Sequence, residues 1–439
     1  MDFNKNTATT YDTFSSFDTI SEKPADHVIS NPFGLNKYII KARRNNHAYK
    51  PSRTLQFTLK FIAKIKIGTL DVILPDHKKL HFVGKEDGPK ATLIIHNDRV
   101  ARKFLTGGRL GFCEAYLDGD WSSPDITTFF ELILLNTDSM NKALSGKAWY
   151  RLLSSFIHSL NKNSRKGSRK NIYQHYDIGN NFYKEWLDPS MTYSSALWKT
   201  GNETLEQAQL EKYKSLAKML DIQPQHKVLE IGCGWGGFAE YVATHIGAEI
   251  TCITISEEQY NYATNRIKNN GLDEKVKIVM KDYRDTKGFY DRIASIEMFE
   301  AVGEKYWPIY FETIHNRLKK GGKAGLQIIT IDDNHFQEYR RSADYIQRYI
   351  FPGGMLPSIN ALKKQTSKAN LTWDNYIAFG KDYAKTLNIW NKDFQAAWPK
   401  LETQFDTRFK RLWEQYLCYC EAGFKVGTID VIQLTVNKG

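Results

Sequence analysis

The sequence has 439 residues, of which 41% are hydrophobic and 25% are charged, and its formal net charge is +12 at pH 7. This balance excludes a mainly disordered or fibrous protein, and the length allows two or three domains. The longest apolar stretches, such as residues 129–135, are far shorter than the roughly 20 residues that span a bilayer, so we expect neither a signal peptide nor a transmembrane helix.

The placement of the basic residues and of the cysteines indicates the surroundings of the protein. Residues 1–170 contain 27 Lys and Arg against 16 Asp and Glu, whereas residues 171–439 contain 34 against 33. This asymmetry favours an anionic partner surface, either nucleic acid or acidic lipid headgroups, over a protein that is basic without such a partner. The five cysteines are scattered and odd in number, which favours a reducing cytosol over a disulfide scaffold.

The N-terminal part is predicted to contain a tail and a small domain. Residues 1–50 are polar and lack a hydrophobic period, which predicts a flexible tail. Alternating apolar residues predict strands at 57–67, 79–82 and 91–95. The glycine-rich stretch 107–111 interrupts this pattern. We therefore predict a small α+β domain over residues 51–140.

Residues 141–170 are predicted to form a basic amphipathic linker. The apolar stretch 149–160 is followed by a dense group of cations, which are Lys162, Arg165, Lys166, Arg169 and Lys170. An apolar helix followed by such a group suits an anionic membrane surface, where each cation gains on the order of 1 kcal/mol. A plain basic linker is the alternative, and the sequence does not decide between the two.

Residues 171–439 alternate predicted strands with predicted helices. The strands are predicted at 227–231, 249–255, 276–280, 290–296 and 323–331. Amphipathic helices are predicted between them at 237–246, 257–270 and 306–318. Such alternation is typical of a doubly wound, Rossmann-like parallel sheet. The alternating stretch 429–436 predicts a last strand, at an edge of the sheet.

A glycine-rich loop follows the first of these strands. From Glu230 to Gly237 the sequence reads Glu-Ile-Gly-Cys-Gly-Trp-Gly-Gly. Gly232, Gly234 and Gly236 let the backbone amides at the start of the next helix approach a ligand. The spacing also fits a dinucleotide site, which alone is a weak signal. Glu230 precedes the loop, and no acid closes the second strand, where a dinucleotide site has its ribose-binding carboxylate. Both features favour S-adenosylmethionine, whose amino group Glu230 can neutralise. A glycine-rich turn without a ligand is the alternative.

Two later segments are predicted to contact the same cofactor. The second strand leads into Thr254 and then Gln259. Asp282 and Tyr283 follow the third strand, where the carboxylate can meet the exocyclic amine of adenine and the ring can stack on it. A merely solvated loop is the alternative for this last pair.

Further motifs occur in a fixed order over residues 55–439. They are GFCEAYLDGDW at 111–121, HYDIGNNFY at 175–183, DP at 188–189, MTYSSA at 191–196, EMFEAVG at 297–303, YIFPGG at 349–354, FGKDY at 379–383 and RFKRLW at 408–413. Together with the glycine loop they resemble the cyclopropane-fatty-acyl-phospholipid synthases, within the cyclopropane and mycolic acid synthase family of S-adenosylmethionine-dependent methyltransferases. The resemblance implies a class I methyltransferase domain over residues 171–439 and a methylene transfer across a cis double bond of phospholipid acyl chains.

The resemblance also implies which residues carry the chemistry. An alkene is a poor nucleophile and its transition state is cationic, so the reaction needs a dry and aromatic site. In the family, a bound bicarbonate removes the proton from the new methyl group. The implied bicarbonate contacts are Ser195, Glu300, Gln327, Tyr383 and the backbone of Ile329, with Glu300 orienting the set. Tyr193 and Ser194 are implied cofactor contacts, and no metal site is expected.

Two departures from the family pattern leave the product open. Many bacterial members have Cys at the position of Ser195 and His at the position of Gln327. Both replacements keep hydrogen-bonding capacity, but Gln327 cannot become cationic as His can. Proton loss from the methyl group with ring closure gives a cyclopropane, whereas other fates of the cation give a methyl- or methylene-branched chain. A C-methyltransferase that acts on fatty-acyl groups therefore stays an alternative.

Two other classes of protein also account for part of the sequence. A nucleic-acid methyltransferase would explain the basic N-terminus, but the sequence has neither a D/N-P-P-Y/F tetrapeptide nor a catalytic Pro-Cys pair. A silent lipid-binding protein would not need Glu300 and Tyr383. We therefore expect a cytoplasmic enzyme at the inner face of the membrane, with an anionic phospholipid surface and no nucleic acid as partner. A homodimer is left open.

Overall fold

The computed structural model describes residues 40–41, 49–137, 139, 178–341 and 344–439. The predicted linker at 141–170, almost all of the predicted tail and the start of the motif at 175–183 lie outside these residues. Ile40–Lys41, within the predicted tail, is a short strand that pairs with the N-terminal sheet. In the described part of the protein, no helix is both long and apolar enough to cross a bilayer.

The N-terminal sheet has five strands in the order β1-β3-β2-β4-β5. Its strands are β1 (Ile40–Lys41), β2 (Ile67–Ile73), β3 (Lys79–Val83), β4 (Glu86–Ile95) and β5 (Trp121–Ser122). The β2–β4 pair is parallel and the other pairs are antiparallel. Three helices accompany the sheet: α1 (Arg53–Ile62), α2 (Arg99–Leu117) and α3 (Ile126–Leu135).

The strand that the sequence predicts to begin at residue 57 is wrong, because this segment belongs to helix α1. Leu55, Leu59 and Ile62 are buried at helical spacing, whereas Phe57 is 49% exposed. The Ser52 hydroxyl accepts a hydrogen bond from the backbone N–H of Leu55 at 3.2 Å and caps the helix. The run of alternating apolar residues was therefore one face of a helix together with an exposed phenylalanine.

The glycine-rich stretch 107–111 bends a helix, whereas the sequence predicted an interruption between elements. Helix α2 continues on both sides of Gly108, whose φ of 58° and ψ of −139° lie outside the helical region. These angles are accessible to glycine at little cost, so the helix can change direction there.

The second sheet has seven strands in the order β11-β12-β10-β9-β6-β7-β8. Its strands are β6 (Lys227–Ile231), β7 (Glu249–Thr254), β8 (Val276–Met280), β9 (Tyr290–Ile296), β10 (Leu318–Ile331), β11 (Leu371–Ala378) and β12 (Ile429–Lys438). The pairs from β8 to β10 are parallel, and β12 runs antiparallel to both of its neighbours. The predicted doubly wound sheet is confirmed, and β12 and β11 extend it through two antiparallel pairings.

Strand β12 is not the edge strand that was predicted, because β11 pairs along its outer side. Six consecutive residues of β12, from 431 to 436, are buried, as expected for an interior strand. Residues of β11 are mostly exposed, and the polar Thr372, Asp374 and Asn375 conceal its strand character in the sequence.

Helices cover this sheet and connect it to the N-terminal sheet. They are α4 (Asn180–Lys184), α5 (Leu205–Met219), α6 (Gly237–Tyr241), α7 (Glu257–Asn269), α8 (Trp307–Arg317), α9 (Asp333–Tyr339), α10 (Tyr345–Tyr349), α11 (Ile359–Lys368), α12 (Gly380–Leu401) and α13 (Thr407–Val426). Helix α13 packs against α3, where the rings of Phe130 and Tyr419 lie 5.3 Å apart. One hydrophobic core therefore extends from the N-terminal sheet into the C-terminal helices.

The strand order places a crevice at the carboxyl ends of β6 and β9. Strands β6, β7 and β8 follow one another on one side of this point, and β9 and β10 continue on the other side. In doubly wound sheets, ligands bind at such a switch point. The glycine loop follows β6 and the EMFEAVG motif follows β9, so both predicted site segments begin at this crevice.

Candidate active site

The loop after β6 has the backbone shape that its glycines predict. Gly232 and Gly234 have φ values of +80° and +51°, which residues with a side chain rarely adopt. A Cβ on Gly232 would lie 2.5 Å from Cγ of Met298, whereas a Cβ on Gly234 would enter open space. This open space belongs to a cavity of about 400 Å³ that the loop lines. The loop is therefore shaped for close contact between its backbone and a ligand.

Glu230 lies at the end of β6 and is 2% exposed. The Cys252 thiol donates a hydrogen bond to its Oε2 at 3.4 Å. Burial raises the pKa of Glu230 to about 8, because water cannot solvate the charged form. A buried carboxyl that lines a cavity suits a cationic ligand group, because a nearby positive charge would lower the pKa of Glu230 and return the carboxyl to its charged form. The residues around the loop therefore fit S-adenosylmethionine, which carries an amino group and a sulfonium.

The segment after β7 is organised by hydrogen bonds among its own polar residues. The Thr254 hydroxyl donates to Oε1 of Gln259 at 3.0 Å and accepts from the backbone N–H of Ser256 at 3.2 Å. The Ser256 hydroxyl caps α7. These bonds hold Thr254 and Gln259 side by side on the wall of the cavity.

After β8, a residue that the sequence analysis did not identify fixes the predicted adenine contact. Both carboxylate oxygens of Asp282 accept hydrogen bonds from the Arg284 guanidinium, at 2.8 and 2.6 Å. The same guanidinium lies 5.5 Å from the ring centre of Tyr283. A bidentate ion pair of this kind orients the carboxylate. Asp282 is thus held as an acceptor beside the Tyr283 ring.

The cavity brings together most of the predicted site residues. Those that line it are Tyr193, Ser194, Glu230, Gly232, Gly234, Thr254, Gln259, Asp282, Tyr283, Glu300, Ile329 and Tyr383. The predicted residues Gly236, Ser195 and Gln327 are not part of the lining. Gly236 is the N-cap residue just before α6, and the other two lie behind the wall, with 0% exposure.

Glu297, which the sequence analysis did not select, occupies the centre of the predicted base site. It lines the cavity just beyond the end of β9. Its Oε1 accepts hydrogen bonds from the Ser195 backbone N–H at 2.8 Å and from Nε2 of Gln327 at 2.7 Å. Its Oε2 accepts one from the Tyr383 hydroxyl at 2.7 Å. The signal in the sequence was the first acid of the Glu-x-x-Glu pair, whose second acid is Glu300.

The backbone of Glu297 is strained. Its φ is +47°, a conformation that costs a residue with a side chain on the order of 1–3 kcal/mol. Such strain persists where surrounding contacts fix the residue, and here three hydrogen bonds hold the side chain. Strained residues of this kind are often functional.

Glu300 lies beside Glu297 and has different surroundings. Its Oε1 accepts the Ile329 backbone N–H at 2.5 Å, while its buried Oε2 has no hydrogen-bond partner among the described residues. Burial and the charge of Glu297 raise the pKa of Glu300 to about 8. At neutral pH, Glu300 therefore holds a proton.

A buried lysine, Lys212, interacts with the charge of Glu297. Lys212 is 0% exposed, and its ammonium donates to the Ser194 hydroxyl at 2.6 Å. Burial lowers the pKa of Lys212, while the charge of Glu297 opposes that shift. Burial raises the pKa of Glu297, while its hydrogen bonds and Lys212 oppose the rise. The sequence analysis did not identify Lys212, because its place on α5 is not marked by any motif.

Gln433 of β12 fixes the orientation of Gln327. Its Nε2 donates to Oε1 of Gln327 at 3.0 Å and to the backbone carbonyl of Lys212 at 3.0 Å. Since Oε1 of Gln327 is an acceptor in this contact, its Nε2 is left to donate to Glu297. The amide that replaces the family's histidine is therefore fixed as a donor.

The residues around Glu297 do not fit a bicarbonate at the predicted position. Ser195, Gln327 and Tyr383 donate to Glu297 itself, and the Ile329 N–H donates to Glu300. The Ser195 hydroxyl donates to the Ala196 carbonyl at 2.9 Å, so Ser195 contributes its backbone and not its side chain. An added anion would find these donors occupied and a carboxylate in its place.

Aromatic rings form a further part of the cavity lining, the aromatic wall. Tyr383 packs on Phe424 with ring centres 4.5 Å apart, and Tyr193 packs on Trp390 at 5.3 Å. The hydroxyls of Tyr193 and Tyr416 are 2.8 Å apart. Such rings exclude water, and their faces attract a cation.

Comparisons with known proteins agree with this geometry. The family model for mycolic acid cyclopropane synthetase matches residues 163–434. The tuberculostearic acid methyltransferase UfaA1 of Mycobacterium tuberculosis is 35% identical and covers 81% of this chain and 85% of its own length. The cyclopropane-fatty-acyl-phospholipid synthase of Escherichia coli is 34% identical and covers 80% of this chain and 88% of its own length.

Solved structures of cyclopropane synthases are also similar to this chain. The mycolic acid cyclopropane synthase CmaA1, complexed with SAH and CTAB, is 29% identical, with a TM-score of 0.58. The alignment covers 62% of this chain and 98% of that one. The cyclopropane synthase MmaA2 of Mycobacterium tuberculosis gives the same TM-score and coverage at 26% identity. The predicted enzyme class is confirmed as an S-adenosylmethionine-dependent methyltransferase, and the chain belongs to the mycolic acid cyclopropane synthetase family.

Proposed function

We propose that this enzyme transfers the methyl carbon of S-adenosylmethionine as a methylene bridge across a cis double bond of a phospholipid acyl chain. The product is a cyclopropane fatty-acyl group. The observation that carries the proposal is the cavity that joins the glycine loop to the aromatic wall and to Glu297 and Glu300. The E. coli cyclopropane-fatty-acyl-phospholipid synthase, at 34% identity, supports the substrate class.

The residues of the loop side bind and orient the methyl donor. When bound, S-adenosylmethionine supplies an electrophilic methyl group on a positively charged sulfur. Glu230 neutralises the amino group, and Asp282 and Tyr283 hold the adenine. Thr254 and Gln259 complete the wall between these contacts, and Tyr193 and Ser194 close the site from the opposite segment.

The residues of the aromatic side bind the acyl group and stabilise the reacting carbons. The alkene carbons become positively charged as the methyl group bonds to one of them. The rings of Tyr193, Tyr383 and Phe424 present electron-rich faces and keep water from adding to that cation. Positioning the alkene close to the sulfonium contributes most of the remaining acceleration.

Bicarbonate has no role in this proposal. The family resemblance implies it, but the donors predicted to bind it are engaged by Glu297 and Glu300. No step of the proposed reaction therefore depends on a bound anion from solution.

A second product is supported by one comparison. UfaA1, whose name describes a tuberculostearic acid methyltransferase, is as similar to this chain as the E. coli synthase. The same site would give a methylene-branched acyl group if a hydride first moved from the methylated carbon to the cationic carbon, because proton loss from the methyl group would then form a C=CH2 bond. Direct proton loss from a carbon next to the cation would leave a methyl-branched alkene. Whether the base removes the methyl proton before the hydride moves therefore decides between the products.

The partner surface that we propose is an anionic phospholipid bilayer at the cytoplasmic face of the membrane. The excess of cations in residues 1–170 supports an anionic partner, and the acyl substrate is itself a membrane component. A lipid substrate and a basic N-terminal part together favour peripheral binding to the membrane.

The test of the proposed function is expression in a host that lacks its own cyclopropane synthase. Mass spectrometry gives the mass added to each acyl group, and proton NMR distinguishes cyclopropane from alkene hydrogens. We expect cyclopropane acyl groups in extracted phospholipids. Methylene-branched acyl groups as the main product would support the second candidate, and unmodified phospholipids would contradict both.

A further inference from the structure

We propose that Glu297 is the base of the reaction, and that its carboxylate takes the place that the family resemblance assigns to bicarbonate. The inference rests on the proposed function and names a catalytic residue for it. It is carried by the hydrogen bonds of Glu297, by its position on the wall of the cavity and by the conformation of its backbone.

The hydrogen bonds identify the carboxylate as the occupant of the anion site. Three of the five positions implied for bicarbonate, namely Ser195, Gln327 and Tyr383, donate to Glu297. Three donors that converge on one carboxylate stabilise its charged form. Two of these bonds reach Oε1 and one reaches Oε2, so Oε2 keeps a further lone-pair site that can accept a proton.

The charges around Glu297 favour one anion and exclude a second. The buried Lys212 interacts with the charge of Glu297, which opposes the lowering of the lysine pKa by burial, and the protonated Glu300 adds no negative charge at neutral pH. A bicarbonate next to an ionised Glu297 would be repelled at close range, in surroundings that screen charge poorly. The site therefore accommodates one negative group, which the protein itself provides.

The backbone shows that this placement is imposed by the surroundings. A φ of +47° is unfavourable for glutamate and is readily adopted by glycine. Glycine at position 297 would thus keep the backbone, remove the carboxylate and leave an anion-sized space among the same donors. The Glu297→Gly variant therefore tests the anion site directly.

In the proposed step, the methyl carbon bonds to one alkene carbon as its bond to sulfur breaks, which leaves a positive charge on the other alkene carbon. Glu297 then takes a proton from the new methyl group, and the electrons of that C–H bond form the bond that closes the ring. The products are the cyclopropane, neutral S-adenosylhomocysteine and a protonated Glu297, which returns its proton to solvent before the next turnover.

The first experiment measures cyclopropane formation by the purified full-length enzyme in buffer freed of carbon dioxide. We expect the rate of the wild type to be unaffected by added bicarbonate. The Glu297→Gln substitution preserves the size and shape of the side chain but removes the carboxylate that accepts the proton. We therefore expect the rate of cyclopropane formation to fall at least about 100-fold. Its affinity for S-adenosylmethionine, measured by calorimetry, should be retained.

The matched control is Glu304→Gln. Glu304 lies seven residues further along the same segment, where it is partly exposed and pairs with Arg340. This substitution removes a carboxylate of the same type without touching the cavity, and we expect the rate of the wild type. A bicarbonate-stimulated wild type, or a Glu297→Gln variant with full activity, would overturn the assignment.

The second experiment uses binding alone and does not depend on the reaction. Isotope-labelled bicarbonate is titrated into the wild type and into Glu297→Gly, and bound bicarbonate is detected by carbon NMR. We expect binding to the glycine variant and none to the wild type, and bicarbonate or formate should raise the rate of the glycine variant. Binding to the wild type, or none to a folded glycine variant, would contradict the proposal.

The two experiments separate this inference from the proposed function. If the wild type alkylates no lipid but the labelled bicarbonate still distinguishes it from Glu297→Gly, then the proposed function fails while Glu297 still occupies the anion site. If cyclopropane forms and the wild type needs bicarbonate, then the function holds and the assignment of Glu297 fails.

Discussion

Glu230 shows how one residue chosen for binding affects the stability of the whole protein. Its pKa is raised from 4.5 to about 8 in the folded protein, whereas in the unfolded state it returns to its ordinary value. Between pH 4.5 and about pH 8, Glu230 keeps a proton in the folded state that it has lost in the unfolded state. Rising pH therefore favours unfolding over this range, and above about pH 8 the contribution of Glu230 no longer changes.

We predict that Glu230→Gln removes part of this pH dependence. The wild type should lose up to about 1.4 kcal/mol of unfolding free energy per pH unit more than the variant between pH 5 and 8. Urea denaturation at several pH values measures the difference. Glu249→Gln, which changes an exposed glutamate of the neighbouring strand, serves as the control and should follow the wild type. Parallel curves for the wild type and Glu230→Gln would show that Glu230 is not a buried neutral acid.

At the level of residues, the sequence predicted the cofactor side of the site better than the base side. Glu230, Gly232 and Gly234 belong to one contiguous loop, so their arrangement follows from local sequence. The role of Glu297 depends on contacts with Ser195, Gln327 and Tyr383, which come from distant parts of the sequence. No local pattern indicates that a carboxylate occupies the place of an external anion.

At the level of elements, the two neighbouring glycines in α2 are expected to respond differently to substitution. Gly108→Ala places a side chain at a φ of 58° and a ψ of −139°, which should cost on the order of 1–3 kcal/mol. Gly107 has open space where a Cβ would lie and belongs to a regular part of the helix. Gly107→Ala should therefore leave the stability unchanged or raise it by up to about 1 kcal/mol.

Urea denaturation of the two alanine variants measures this difference, and each variant is the control for the other. Equal midpoints would mean that the helix straightens through Gly108 and that the bend is not required. A lower midpoint for Gly108→Ala alone would establish that the fold needs the bend.

The sequence predicted helices and strands correctly where burial produces a simple pattern of apolar residues. Strands β6 to β10 are short apolar runs between amphipathic helices, and the sequence located all five. Helix α1 was mistaken for a strand because exposed Phe57 completed an alternating pattern with residues of the buried face. Strand β11 was missed because an edge strand needs few apolar residues.

At the level of the whole molecule, the charge asymmetry predicts how the enzyme binds membranes. Replacing the five cations at 162–170 with glutamine should weaken binding to anionic vesicles, with the largest loss at low salt. Exposed charges act over about 10 Å at 0.1 M salt, so added salt should weaken the wild type as well. Vesicle sedimentation over a range of salt concentrations measures both effects.

The control variant removes the same charge from the methyltransferase part. It replaces five exposed lysines, which are Lys214, Lys218, Lys363, Lys364 and Lys368. We expect this variant to bind vesicles like the wild type. Equal losses in the two variants would mean that net charge, and not the segment at 162–170, determines membrane binding.

The position of β12 has a consequence for how the enzyme is made on the ribosome. β12 is the last of the twelve described strands to be synthesised, yet it lies between β10 and β11. Until it emerges, β11 has no partner in the sheet, and Gln433 cannot orient Gln327 towards Glu297. The glycine loop, in contrast, is synthesised some 200 residues earlier. Since domains fold from the N-terminus during synthesis, the nascent protein can shape its methyl-donor site first, and the base becomes competent only when translation of β12 is complete.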